Sequence, residues 1–181
     1  VTEPHFYDAN VFTKIAIDLF HGWGYDFYRK ENQLRADDLV VRARVSELLA
    51  AARISVGAAE KAFRREFLPA PSREKPRPDA EAVRGAQDLE ALGAAIGAVE
   101  GRIRALPVPE NDRMTQRFRR EAETLSRLVE ADQAMVAQAE FLRAVLATAT
   151  ARWMLDNAAS LREQITALEA TVQSRRDILA F

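Results

Sequence analysis

The chain has no cysteine, and that one absence excludes disulfides, thiolate metal sites and cysteine nucleophiles together. Histidine is nearly absent as well, with only His5 and His21. Neither belongs to a Glu-x-x-His pair, so the di-iron pattern of carboxylate bundles is missing. No HExxH, phosphate-loop, GxGxxG or EF-hand spacing occurs. Acidic pairs do stand at Asp37 and Asp38 and at Glu121 and Glu123. Adjacent or alternate residues on a helix do not converge on one point, so these pairs read as helix capping and solvated faces. Nothing assembles a nucleophile, a base and an orienting group. The sequence predicts a non-enzymatic protein with no catalytic residue, no metal and no cofactor.

An excess of one charge is also lacking. The 26 basic and 27 acidic side chains leave a net charge of −1. Nucleic-acid binders usually carry a clear basic excess, as do proteins that lie on anionic membranes. The balance argues against both partners. Long apolar runs are missing too. The longest, residues 91–99, is about half of the roughly 20 residues that span a bilayer, so no membrane insertion is expected within this segment. The expected compartment is the cytoplasm, or the periplasm if an upstream signal or anchor was removed. A first residue of Val1 fits a piece of a longer protein.

Proline and glycine are sparse, at seven each, and their positions organise the chain. After Pro4, the prolines fall only at 69, 71, 76 and 78 and at 107 and 109. The stretches between them are rich in Ala, Leu, Arg, Glu and Gln, all good helix formers. No alternating strand pattern or hairpin dipeptide appears. The fold class is therefore all-α: an elongated antiparallel bundle with coiled-coil-like seams and four to five helices. An aromatic-rich N-terminal helical segment (1–35) is expected to pack on a bundle formed by 36–181. Residues 69–78 and 107–111 are the linkers.

Helices are expected near 10–32, 36–68, 79–106 and 112–180. The first stripe, Phe12, Ile15, Leu19, Trp23 and Phe27, passes through Gly22 and Gly24 without losing phase. The second, opened by Asp37 and Asp38 as caps, runs through Val41, Val45, Leu48, Ala52, Val56, Ala59, Phe63 and Phe67. The third, capped by Asp79, repeats at Leu89, Leu92, Ile96, Val99, Ile103 and Leu106, a two-position heptad seam. The fourth carries Val129, Val136, Ala139, Leu142, Leu146 and Trp153, with Asp132 interrupting it. A last seam is Leu161, Ile165, Leu168, Val172 and Leu179. Between them the spacing slips, and Ser160 and Glu163 suit a capping box. The slip marks either a stutter or a break near 156–160. An unbroken helix would overhang the third by about 60 Å and need a second subunit or the N-terminal helix to cover it.

Two features stand out against this background. Gly93, Gly97 and Gly101 recur every four residues beside the leucine seam. Each costs up to about 1 kcal/mol against alanine inside a helix, so close helix packing is expected there. Basic residues also cluster, at Arg64, Arg65, Arg73, Lys75 and Arg77 and at Arg113, Arg117, Arg119 and Arg120, and the expected topology brings the second cluster near Arg35, Arg42 and Arg44. Acidic neighbours offset that field, so these read as solvated helix faces.

The second feature is the ring-rich start. Eight of the fourteen aromatics lie within residues 6–28: Phe6, Tyr7, Phe12, Phe20, Trp23, Tyr25, Phe27 and Tyr28. Rings of this kind either fill the thick end of a bundle or anchor a partner. His21, Trp23, Tyr25, Phe27, Tyr28 and Arg29 are accordingly the candidate binding residues. The leading expectation is a helical-bundle interaction or scaffold protein that binds a protein partner or itself as a homo-oligomer. Two rivals are a ligand-sensing helical domain of a membrane receptor and a coat protein for a lipid or polymer surface.

Overall fold

Proline and hydroxyl side chains set where the helices stop. In a computed structural model, residues 19, 22, 23, 33–73, 76–106 and 121–180 are described. Among them five helices and no strands occur: α1 (Gln33–Phe67), α2 (Ala80–Arg104), α3 (Glu121–Thr148), α4 (Ala151–Asp156) and α5 (Ala158–Ala180). Helix α1 ends where the Leu68 amide makes its last helical bond, to the Arg64 carbonyl, because Pro69 has no N–H to offer. Asp79 caps α2 by accepting from the Glu81 amide at 3.0 Å. Residues 19, 22 and 23 are helical, as expected, and the rest of that segment lies outside the described residues.

The chain runs up, down, up and down. Helices α1 and α2 are antiparallel: Val56 faces Gly93, Phe63 faces Gly85, and Arg42 reaches the Leu106 carbonyl. Helices α3 and α5 meet at Asp132 and Arg175. Pairs from Arg162 to Asp88 and from Arg102 to Glu169 lay α5 parallel to α2. The apolar stripes meet in one continuous core. It joins Val41, Val45 and Leu49 of α1 with Leu89, Ile96 and Ile103 of α2, Leu142 and Leu146 of α3, and Leu161 and Leu168 of α5. All six positions of the α2 seam are buried, as its heptad spacing requires.

Several expectations need correction. The α1 stripe turns through Leu49, which is buried, rather than Leu48, and Phe67 is half-exposed. The long C-terminal helix breaks twice: at Asn157, within the expected 156–160, and also at 149–150, which the sequence slip did not suggest. Thr150 supplies the cap, accepting from the Trp153 amide at 3.3 Å. Ser160 and Glu163 lie inside α5 instead of opening it. The break rotates the face, so Met154 is buried and Trp153 looks outward. It also turns α5 back along α3, which removes the overhang that would have needed covering.

The glycines divide in a way that spacing did not show. A Cβ on Gly93 or Gly97 would meet Val56 or Arg53 side-chain atoms at 3.5–3.6 Å, an ordinary contact, and one on Gly101 would meet no described atom within 4 Å. Close backbone approach is therefore not what these three provide. The tight position is Gly85, where a Cβ would lie 2.9 Å from the Phe63 ring and 3.3 Å from Leu155. Gly57→Ala, in open space, should raise stability by about 1 kcal/mol through helix propensity. Gly85→Ala should lower it, because a packed ring must move. Urea unfolding of both variants checks this, and equal gains would show that Phe63 yields freely.

Candidate functional site

Two places in the bundle are not explained by apolar packing. One is a cluster of buried charge. Asp38 is the seam residue one turn before Val41, and it is fully buried. Asp132 is buried on α3 at the interruption in its apolar face, and Arg175 is buried on α5, between Val172 and Leu179 in the sequence. Arg175 lies 2.9 Å from Asp38 and 2.5 Å from Asp132, so one guanidinium ties α1, α3 and α5 together. Arg42 adds a second cation, 2.8 Å from Asp38, and donates to the Leu106 carbonyl at 2.7 Å. That last bond fastens the turn that follows α2 onto α1.

The reading of Asp37 and Asp38 as solvated caps is thus wrong. Helix α1 starts four residues earlier, at Gln33, and both carboxylates are buried in its second turn. Arg42, read as part of a solvated face, turns inward for the same reason: two buried carboxylates need cations. The sequence did hold a signal for the cluster. Asp132 occupies a core position, and the step of seven from Val172 to Leu179 leaves room for one more seam residue, which is Arg175.

Electrostatics here follow from burial. Desolvation raises the Asp38 carboxyl above its ordinary 3.8, against the lowering pull of Arg175 and then Arg42. Both Asp38 oxygens sit within ion-pair distance of a cation, yet neither meets the geometry of a directed hydrogen bond. The network is sealed, with Asp38, Asp132 and Arg175 at most 1% exposed, and it ties α1, α3 and α5 together.

The second place is an open groove of about 1090 Å³ at the opposite end of the bundle. One wall is a single face of α1: Ser55, Ala58, Ala59, Ala62, Phe63, Glu66 and Phe67 recur at helical spacing. The start of α2 supplies Ala82 and Gly85, the end of α3 supplies Leu146 and Ala147, and α4 supplies Ala151 and Leu155. Phe63 and Phe67 stack at 4.7 Å between centroids, with Phe63 buried and Phe67 49% exposed. The rim carries Glu66, Asp79, Glu81, Asp88 and Asp156 against Arg84 and Arg152. The sequence missed this groove because its alanines are ordinary helix formers and its aromatic pair reads as the end of a core stripe.

Of the candidate binding residues, Trp23 is among those described. Trp23 packs half-buried on the core, with the Arg44 guanidinium 5.8 Å from its ring centroid. His21, Tyr25, Phe27, Tyr28 and Arg29 lie outside the described residues, as do the arginines at 113–120. Among the described residues no group of His, Cys, Asp or Glu is arranged to hold a metal ion. No described helix is long and apolar enough to cross a membrane. No protein-family model matches the chain, and no curated protein or solved structure matches it significantly.

Arg175→Met should cost about 3–5 kcal/mol, because it leaves two carboxylates buried without their shared cation. Adding Asp38→Asn and Asp132→Asn should recover much of that loss in urea melts. A pH effect follows from the raised Asp38 carboxyl. The folded chain holds that proton more tightly than the unfolded chain, so the contribution of Asp38 falls as pH rises from 3.8 through the raised value. The stability advantage of the wild type over Asp38→Asn should therefore shrink across that window. An advantage that grows with pH would mean that the arginines outweigh desolvation.

Proposed function

We propose that this chain is a non-enzymatic helical interaction module and that the groove between α1, α2 and α4 receives a protein partner. The half-exposed Phe67 ring carries this reading. It continues an aromatic stack from the core into open space, beside a floor of alanines. Large rings and small neighbours at an open edge are the materials of an interface anchor. The buried charge cluster supports the same reading indirectly: its titratable groups hold the helices together and are closed to solvent. Trp23 belongs on the structural side, since it leans on the core and shares its ring face with Arg44.

A photo-crosslinking amino acid at position 62, inside the groove, tests the reading in the source cell. It should give a discrete adduct that Phe67→Ala weakens while helix content is unchanged. The same group at Ile54, an exposed apolar side chain outside the groove, should not give that adduct. Identical adducts from both positions would overturn the reading.

A further inference from the structure

We infer that the groove's partner presents a cationic amphipathic helix, an inference that rests on the groove being the binding end. Shape points to a helix. The α1 wall runs from Ser55 to Phe67, about 20 Å at 1.5 Å per residue, and its floor is alanine over three turns. Small side chains let a second helix backbone come close. The volume of about 1090 Å³ is slightly above the roughly 300–1,000 Å³ of small-molecule pockets, and the space is a trough rather than an enclosed chamber.

Charge selects the helix. Five rim carboxylates face two rim arginines. Two of the carboxylates carry loose, exposed pairs at 3.3 Å, Asp88 to Arg162 and Asp156 to Arg152, and such pairs hold little energy. Glu66 and Glu81 hold no ion pair among the described residues. They flank the floor from α1 and from α2. A helix with leucines on one face and lysines along both flanks would lay its apolar face on the alanines and Phe67. Its cations would then meet both rims, whereas an acidic helix would meet like charge on each side.

The test uses fluorescence anisotropy with labelled synthetic helices of about four turns, one of leucine and lysine and one of leucine and glutamate. The leucine–lysine peptide should bind, and binding should weaken as salt rises, because rim charges are screened. Glu66→Lys with Glu81→Lys should weaken it about tenfold or more, which is about 1.4 kcal/mol. The same double variant should gain binding of the leucine–glutamate peptide, a gain that an unfolded protein cannot give. Two results would overturn the inference while leaving the groove as a binding end. One is equal binding of both peptides, each blocked by Ala62→Arg. The other is self-association in sedimentation that Ala62→Arg abolishes, which would make the occupant a second copy. Peptide binding indifferent to Ala62→Arg would remove the groove reading itself.

Discussion

One guanidinium holds this bundle in register. Arg175 enters the core from α5 and meets a carboxylate from α1 and another from α3, while Arg42 fastens the end of α2 to the same cluster. An apolar seam that repeats every seven residues is nearly indifferent to a slip of seven. A buried cation is not, because any other register leaves it and two carboxylates without partners at several kcal/mol each. Leucines supply most of the free energy of collapse. The four charges select one alignment among those the leucines would accept.

The two ends of the molecule therefore differ in kind. At one end, all four long helices are tied through Asp38, Arg42, Leu106, Asp132 and Arg175, with the charges under cover. At the other end, α4 is a single short turn-and-a-half and its neighbours are alanines. The core stripe there runs out into Phe67, with one side of its ring in solvent. The proposed docking surface lies at the end whose side chains are not committed to buried polar contacts.

How far the sequence foretold this depends on the residue. The α2 seam was fully legible, because its spacing of three and four admits one buried face and nothing interrupts it. Asp132 was visible as an interruption, but its meaning needed Arg175, 43 residues away and hidden inside a step of seven. Asp38 misled because an acid near a helix start suits a cap as well as it suits a core position. Only the extra turn at residues 33–36 would have told them apart — and weak helix signals do not fix a boundary to within one turn. Thr150 and Ser160 are both good caps, and of the two only Thr150 caps a helix, because the last helix already starts at Ala158. The groove was the least legible part, since it consists of what neighbouring helices fail to cover.

That failure has a simple geometric origin. Helix α1 has 35 residues, whereas α2, α3 and α5 have 25, 28 and 23. At 1.5 Å per residue, α1 outruns its neighbour α3 by about 10 Å. The polar cluster pins all of them at one end, so the mismatch accumulates at the other. The break at 149–157 adds to it by turning α3 aside before it can cover the last turns of α1. The uncovered stretch is the one that carries Ser55, Ala58, Ala62 and Glu66 on one face. The register lock and the open groove are thus two consequences of one arrangement. Alignment is fixed by charge at the end where α1 and α3 start and α2 and α5 finish, and a helix face of about three turns is left open at the other end, where α3 turns aside and α4 only partly covers α1.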